Sequence, residues 1–545
     1  MLSELHERLP TDYVSARRDF ALELPEELNF GFDVIDAHPA DAPAFIFVPN
    51  DGREAQPFSY GELAERSNRF AEGLLALGAQ KGDGVFVMLP RVPAFYDTLI
   101  GCCKAGVVAM PGTNLLTAKD IAYRINRAEA RFAVVAAEHV EKLDAIRAQC
   151  PTLEHTITVD PGAGDSWHDL ESLMARATGS LSRADAPVTR QEDPMLVYFT
   201  SGTTAYPKMV PRNHAYAFAH VITGKYWLDL RPGGVHWTLT DTGWAKAAWG
   251  LLYPPFLARA TTVLYQGGPK FDPVEHLQII QALGVETFCA PPTVYRLFAQ
   301  HDLSQYDLSG IRHSLSAGEP LNPEAIRVWE DATGTKPHDG YGQTETVCLV
   351  CNHPGIDVRP GSMGKPTPGL EVDVVDEGGK VTDIDTIGHI AVRTNGEWPP
   401  GLFRGYLDDD GTNDQVFRNG WYYTGDTATR DADGYIWFVG RADDVILSAG
   451  YRISPFEVES TLQEHPAVAE SAVVGKPDDT RGQIVKAFVV LAAGFEADDA
   501  MARELQRFVR EQTAAYKYPR EIEFQAELPK TISGKIRRVE LRDEA

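Results

Sequence analysis

Apolar residues recur along this chain at two different periods, and the change from one to the other divides it. From residue 59 to 150 helical and strand patterns alternate. SYGELAERSNRFAEGLLALG is amphipathic at the helical period, and GVFVML is a short continuous apolar run of the kind a buried strand makes. A helix through PAFYDTLIGCCKAG follows, then VVAMPG, another helix near residues 118–128, and RFAVVAA. Strand and helix alternating at this spacing predict a parallel sheet with helices on its faces. The same rhythm returns at TTVLY, VEHLQIIQALG and VETFCAPP.

Beyond about residue 370 the texture changes. EVDVVDEGGK, HIAVRT, YIWFVGR and ILSAGYRI read as strands closed by Gly and Asp turns, which predicts a β-rich subdomain. A small α+β unit closes the chain. In SPFEVESTLQEHP, Ser454 is placed as N-cap, Pro455 at the first helical position and Glu457 three residues on, a capping box. IVKAFVVLAAG reads as a strand and MARELQRFVREQTAAY as a helix. The domain boundary falls in GRADD, residues 440–444, giving an N-terminal domain over 1–441 and a C-terminal domain over 442–545. The fold class is α/β, a large domain carrying parallel αβα-layered sheets and a β-rich subdomain, with a small α+β domain behind it.

With 545 residues, two or more domains are expected. A hydrophobic content of 43% and a charged content of 23% are those of an ordinary globular protein. The net charge of −26 disfavours nucleic acid or an anionic membrane as the main partner, while leaving room for a local basic patch that binds a nucleotide. No run approaches 18 uninterrupted apolar residues, so no membrane span is expected. MLSELHERLP, with Glu4 and Glu7 and no apolar core, reads as neither signal nor transit peptide. Six cysteines in this length make no disulfide framework, and the lone C-x-x-C of Cys348 and Cys351 has no second pair to complete a zinc site. The expectation is a reduced, cytoplasmic protein.

Candidate chemistry begins at VYFTSGTTAYPKMV, residues 197–210. A strand followed by Gly, Ser and Thr can wrap backbone N–H groups and hydroxyls around an anion, and it can equally be a solvated turn. It is not a Walker A loop, because Pro207 precedes Lys208 and Met209 follows it. Four further runs keep it company. DGYGQTET spans residues 339–346, YYTGD ends in Asp426, GRADDVILSAGYRISPFEVE follows, and LPKTISGKIRR lies near the end of the chain. Each alone has a plain explanation as a turn, a salt bridge or a basic tail; all five in this order rarely arise by chance.

Together these five motifs resemble the adenylate-forming superfamily of acyl-CoA synthetases, nonribosomal-peptide adenylation domains and luciferases, from about residue 30 to the end. Within it the chain looks most similar to the medium-chain acyl-CoA synthetases, through MLPRVPAFYDTLIGCCKAG, MPGTNLLTAKDI, DTGWAKAAWG, YGQTET, TAAYKYPREIEF and LPKTISGKIRR. One departure is Ala205, which stands where the phosphate loop usually has glycine before its variable residue and proline.

The resemblance implies ATP, Mg²⁺ and CoA as cofactors and a two-step reaction. A carboxylate attacks the α-phosphate of ATP and pyrophosphate leaves; a thiol then displaces AMP from the acyl-adenylate. The first step brings two anions together, so positioning and charge neutralisation must carry it. By resemblance Thr200, Ser201, Thr203, Thr204 and Lys208, with the N–H of Gly202, would hold the β- and γ-phosphates. Asp339, Gly340, Tyr341, Gly342, Gln343 and Thr344 would wall the adenine and contact the α-phosphate, and Glu345 would bind Mg²⁺, as a hard cation favours carboxylate oxygen. Asp426 would take the ribose hydroxyls with help from Arg441. Lys535 would be the catalytic lysine, a compact charge on a flexible stem, and Thr344 and Glu345 complete the catalytic set. The rival view makes Lys530, Lys535, Arg537 and Arg538 a solvated basic tail.

For the second step the resemblance implies a mobile C-terminal domain pivoting at Asp443. Ala449, Gly450 and Tyr451 would line the pantetheine tunnel, Arg481, Arg510, Tyr518, Pro519 and Arg520 would contact CoA, and Arg452 would face the reaction centre. An N-domain position that contacts CoA in some relatives is Leu115 here and is not carried over. For the acid, Gly342 replaces the tryptophan that blocks the pocket of acetyl-CoA synthetases, so a longer or flat acid should fit. Trp237, Trp244 and Trp249 can line an alkyl or aryl site or can simply pack the core; Trp244 is taken as the substrate-side residue.

The reading is therefore an AMP-forming acid:CoA ligase for a medium-chain fatty or aromatic carboxylic acid. Its rivals are an enzyme that loads a carrier protein, a luciferase-type oxygenase and a non-catalytic nucleotide sensor. The partners expected are the acid, ATP and CoA, with no nucleic acid and no membrane span, and a homodimer is left open.

Overall fold

The alternation over residues 59–150 folds as its periodicity predicts. In the Tyr60–Ala76 helix, the Ser59 hydroxyl oxygen accepts from the Glu62 N–H while the Glu62 carboxylate accepts from the Ser59 N–H. This closed capping box starts the helix at the residue where its apolar face begins. Leu63, Phe70 and Leu74 on that face are buried, and the helix packs along its neighbour Ala94–Ala105. The computed structural model describes all residues except 1, 160–161, 201–206, 269, 318–322, 443, 449–450, 479, 515 and 531–535, and gives backbone alone at 3, 323, 324 and 452.

Two sheets dominate. One has seven strands, in the order His168–Asp169, His155–Thr158, Phe132–Val135, Gly84–Met88, Val108–Pro111, Pro194–Thr200 and Lys208–Asn213. All its pairings are parallel except the last, which is the antiparallel hairpin of the Ser/Thr/Gly-rich loop. The other has nine strands, from Lys365–Pro366 through Val350–Cys351, Pro337–Tyr341, His313–Ser316, Thr287–Cys289, Val235–Thr238 and Thr261–Tyr265 to Pro43–Val48 and Gln56–Ser59, parallel in its middle and antiparallel at both ends. One hydrophobic core joins them. Tyr96 shows how: its ring meets Phe45 and Phe256, and its hydroxyl donates to the Leu251 carbonyl at 2.9 Å.

After residue 370 the strands are antiparallel, as the change of texture predicts. Val372–Val375, Gly388–Arg393, Trp421–Arg430 and Ile436–Arg441 pair in turn, with Phe417–Arg418 beside the long third strand. This register sets Asp426 directly opposite Arg441.

The chain closes with a separate five-stranded sheet built from residues 446–524. Three details differ from the sequence reading. ILSAGYRI belongs to this sheet rather than to the β-rich subdomain, and it is a hairpin of Ile446–Ser448 and Tyr451–Ile453. Ser448 pairs with Gly482 of the long central strand, and that pairing places the hairpin in this sheet. The Ser454 capping box is half made. Ser454 Oγ accepts from the Glu457 N–H at 3.1 Å, but the Glu457 carboxylate takes Lys517 Nζ at 2.5 Å. A full ammonium outbids a backbone N–H for a carboxylate. The last long helix, Asp499–Gln512, ends before TAAY because Thr513 is extended and its hydroxyl turns back to the Val509 carbonyl.

All six cysteines are free and buried, and no group of ligands suited to a metal occurs among the described residues. Cys351 Sγ donates to the Tyr226 carbonyl, so its half of the C-x-x-C is core packing. Among the described residues no helix is long and apolar enough to cross a membrane.

Candidate active site

The loop flagged first lies mostly outside the described residues: Ser201, Gly202, Thr203, Thr204 and Ala205 are not among them. Its stem is well defined. Thr200 and Lys208 face each other as the last pair of the hairpin. The helix Ala118–Arg127 braces that end, with the Tyr123 hydroxyl donating to the Pro207 carbonyl at 3.0 Å and the Arg124 guanidinium 5.3 Å from the centre of the Phe199 ring. Lys208 Nζ reaches out of the sheet to Thr412 Oγ1 at 3.2 Å and lies 5.1 Å from the centre of the Tyr406 ring.

DGYGQTE occupies the end of the Pro337–Tyr341 strand and the turn after it, and its alternating residues do two jobs. Gly340 and Gly342 meet indoles. A Cβ on Gly340 would lie 2.3 Å from Trp227, and one on Gly342 would lie 2.1 Å from Trp249. No side chain fits at either place, so glycine is required by close approach. Tyr341 and Gln343 take the other job. The Tyr341 hydroxyl donates to Asp426 Oδ2 at 2.6 Å, and Gln343 Nε2 donates to the same oxygen at 2.8 Å and to the Thr424 carbonyl at 2.8 Å. Arg441 Nη1 reaches the other carboxylate oxygen, Asp426 Oδ1, at 3.2 Å, and the Tyr422 hydroxyl donates to Gln343 Oε1 at 2.9 Å. Asp426 is 5% exposed, and its three donors fix the carboxylate in one orientation.

Asp339 and Glu345 stand at the two ends of this run. Burial pushes the Asp339 carboxyl up to about 7, against the Gly340 N–H and the Lys246 charge that favour ionisation. Burial raises Glu345 as well, opposed first by the hydroxyl of Tyr406, which donates to Oε1 at 2.7 Å. Thr344 is half-buried on the intervening turn, where the Gln343 N–H donates to Thr346 Oγ1. Glu345 is 7% exposed, and among the described residues no cation closes an ion pair on it. A buried carboxyl that accepts one neutral hydroxyl and that no described cation neutralises offers its oxygens to a hard cation, whose binding favours the ionised form that burial disfavours. This residue therefore fits Mg²⁺, which takes one or two carboxylates together with substrate phosphates.

Of the three tryptophans, Trp237 is core. It is 1% exposed, stacks on His276 and packs edge-on to Tyr265 and Phe288. Trp249 sits on the π-helical turn Ala248–Leu252 and covers Gly342, so the space that glycine seemed to leave open is occupied by an indole. Trp244 is half-buried at the start of the same helical stretch. Of the candidates read from the sequence, Trp244 was taken for the substrate side, and Trp249 is the one that lies over Gly342.

In the small unit, Arg510 and Arg520 both lie against the ring of Tyr518, at 5.8 and 5.0 Å from its centre, and Arg520 Nη1 donates to the Tyr518 hydroxyl. Pro519 between them is buried. Arg481 lies on the tight turn after Asp478, whose carboxylate accepts its N–H. Tyr451 is half-exposed and stacks on Tyr516 with ring centres 4.3 Å apart. Ala449, Gly450, Asp443, Lys535 and the side chain of Arg452 lie outside the described residues. Among the described residues no hydrogen bond or ion pair joins the Arg510–Tyr518–Arg520 cluster to the Asp426 network. Lys530 and Arg538 are not a free basic tail, since Lys530 pairs with Glu470 and Arg538 with the buried Glu459.

Tyr406, Arg212 and Tyr422 were missed. Arg212 is 2% exposed and donates to the backbone carbonyls of Glu345 and Gly401. It stands four residues from Lys208 on one strand, hence on the same face, and that spacing was a readable signal. Tyr406 had none, since its partner is 61 residues away in the chain.

The α/β sheets with this nucleotide-sized polar network define the class, and the comparisons agree. The AMP-binding enzyme family model matches residues 32–407 and the AMP-binding enzyme C-terminal domain matches 457–535; the chain belongs to this family of adenylate-forming enzymes. It falls among the AMP-forming acid:CoA ligases, which use ATP, Mg²⁺ and CoA. Acyl-coenzyme A synthetase ACSM3, mitochondrial, of Mus musculus is 40% identical over 98% of this chain and 93% of its own length. Among solved structures, the anthranilate CoA ligase AuaEII in complex with anthranoyl-AMP superposes with a TM-score of 0.87 at 32% identity, covering 96% of this chain and 98% of that one. A benzoate CoA ligase from Burkholderia xenovorans LB400 does so with a TM-score of 0.81 at 27% identity, over 94% and 99%.

Proposed function

We propose that this enzyme activates a medium-chain fatty or aromatic carboxylic acid and transfers it to free CoA. A carboxylate oxygen attacks the α-phosphorus of ATP, the bond to the β-phosphate bridge breaks and pyrophosphate leaves; the CoA sulfur then attacks the acyl carbon and AMP departs. The observation that carries the reading is the Asp426 carboxylate held by Tyr341, Gln343 and Arg441, with the buried Glu345, which among the described residues has no cation paired with it. The first suits ribose hydroxyls, the second a cation bridging phosphates.

In this reading Thr200, Ser201, Gly202, Thr203, Thr204 and Lys208 hold the pyrophosphate end, and Lys535 bridges acid and α-phosphate. Arg481, Arg510, Tyr518, Pro519 and Arg520 take the phosphates of CoA, with residues 449–451 on its pantetheine arm. The two arginines on one tyrosine ring favour CoA over a carrier protein, since guanidinium groups suit phosphates. We place the domain boundary after residue 441 and the enzyme in the cytoplasm; its six free thiols fit a reducing compartment, and recovery of a tagged chain in an organelle would overturn that placement. A panel of straight-chain, branched and aromatic acids, assayed for AMP with and without CoA and Mg²⁺, tests the whole. Acid-dependent AMP formation that ignores CoA would point instead to carrier loading.

The indole over Gly342 makes the acyl pocket testable. Gly342→Trp is expected to turn preference towards acetate or propionate and to weaken longer and aromatic acids, because a second indole has no room beside Trp249 and the Val347 carbonyl unless Trp249 is displaced; a melting curve checks that the variant folds. Since one methylene in an apolar pocket is worth about 1–3 kcal/mol, kcat/KM ratios between a six-carbon acid and acetate should fall by at least about tenfold. An unchanged ranking across the panel would mean that the pocket lies elsewhere.

A further inference from the structure

We propose that Tyr406 is a positioning residue that holds the metal-binding carboxylate of Glu345 and the phosphate-binding Lys208 as one unit. The inference rests on the roles proposed above for those two residues. Tyr406 touches both. Its hydroxyl donates to Glu345 Oε1 at 2.7 Å, and its ring lies under Lys208 Nζ, 5.1 Å from the centre. No other described side chain makes both contacts.

The surroundings leave these groups little freedom. The Glu345 backbone carbonyl accepts from Arg212 Nη1 at 2.6 Å and from the Phe403 N–H at 2.9 Å, so its main chain is pinned and only the carboxylate remains to be oriented. Tyr406 is itself clamped: its N–H donates to Asn413 Oδ1 at 2.7 Å, Asn413 Nδ2 donates to its carbonyl at 2.9 Å, and its ring meets Phe403 edge-on. Asn413 shares the short helix Asp410–Val416 with Thr412, which accepts from Lys208. One helical turn therefore fixes the tyrosine and steadies the lysine.

The chemistry of the donor matters. A phenol orients one carboxylate oxygen and adds no charge, which leaves the other oxygen its full pull on a cation; a lysine or arginine there would neutralise it. The electron-rich face of the ring attracts the ammonium of Lys208 without taking up a donor. One donor goes to Thr412 Oγ1 at 3.2 Å, Asp409 Oδ2 lies 4.0 Å away, and the ring leaves the remaining N–H bonds to phosphate oxygens. If Tyr406 merely filled space, phenylalanine would serve equally well.

That contrast is the experiment. Mn²⁺ binding in the presence of a non-hydrolysable ATP analogue is followed by electron paramagnetic resonance for the wild type, Tyr406→Phe, Tyr406→Leu and Glu345→Gln. Loss of a group that orients a metal ligand typically weakens metal binding by about 10–100-fold, and Tyr406→Phe should fall in that range. Its adenylation half-reaction should need correspondingly more Mg²⁺, while thioester formation from supplied acyl-AMP stays at the wild-type rate. Tyr406→Leu should also raise KM for ATP, because Lys208 loses its platform. Asn413→Ala, which frees the tyrosine but keeps its hydroxyl, should weaken Mn²⁺ in the same direction by less, and melting curves check folding throughout. Wild-type Mn²⁺ affinity in Tyr406→Phe, with Glu345→Gln impaired, would overturn the role of Tyr406. Unimpaired Glu345→Gln would overturn the assignment of Glu345 itself, and equal loss in both half-reactions would make Tyr406 structural.

Discussion

Lys535→Ala is expected to slow adenylation by about 10²–10³, the usual cost of one electrostatic contact made at developing charge, while leaving thioester formation from pre-made acyl-AMP near its normal rate. The motive is charge. A carboxylate and a phosphate must meet in the first step, and a lysine between them lowers that barrier; in the second step the carboxylate has already become an acyl group. The segment that carries Lys535 is anchored on both sides by bonds the substitution does not touch. Lys530 bridges Ile536, the Arg537 N–H donates to the Pro529 carbonyl at 2.8 Å, and Lys530 Nζ reaches Glu470 at 2.7 Å. Arg538 closes on Glu459 at 2.6 Å, a buried carboxylate that also accepts the Val473 N–H at 2.7 Å. The melting temperature should therefore stay close to that of the wild type. Pyrophosphate release measures the first half-reaction and loss of supplied acyl-AMP the second; equal impairment of both would reject the assignment.

The elements were legible wherever a local period determined them. Tyr60–Ala76 and the strands and helices that follow it need only their own apolar spacing and a cap, both visible in ten to twenty residues of sequence. ILSAGYRI shows the limit. Its strands form as expected, but which sheet they join depends on pairing with Gly482, and no local pattern contains that partner. The same holds for Glu457, whose carboxylate is claimed by Lys517 across the fold.

The site divides along the same line. Asp426, Arg441, Tyr341 and Gln343 were readable because short motifs carry them, and the fold brings all four into one network. The tryptophans were not separable. Trp237 and Trp249 sit in one apolar stretch with the same sequence signal, yet one is sealed against His276 and the other lies over Gly342. Gly342 carried a further ambiguity, since a small residue reads as open space when its neighbour is unknown. Tyr406 and Arg212 act on Glu345 from 61 and 133 positions away, a relation that only packing creates.

Asp443→Pro is expected to abolish most overall turnover in a folded protein by sparing one half-reaction and losing the other. If a single small domain serves both steps, it must turn between them, and a few backbone dihedrals must absorb the rotation. We propose residue 443 as that joint on the bonding of the residues that flank it. Gly440 has a φ of 154°, a region that residues with a side chain avoid. The Ala442 N–H is held by the Gly425 carbonyl at 2.9 Å on one side, and the Asp444 N–H bonds the Arg441 carbonyl at 3.0 Å on the other. Across the pivot, the Ser454 hydroxyl donates to the Val439 carbonyl and the Phe456 ring meets Phe438 edge-on at 5.7 Å, contacts that can be exchanged without unfolding either core. Proline would fix φ of residue 443 near −65° and restrict Ala442 before it to extended conformations, so the joint could hold one orientation of the domain and not both. Neither fixed core is disturbed, and the melting curve should show one transition near the wild-type temperature. Adenylation and thioester formation are then measured separately. A substantial rate in one and a large loss in the other places the pivot at Asp443, whereas near-normal overall turnover would move it elsewhere in the 440–444 linker.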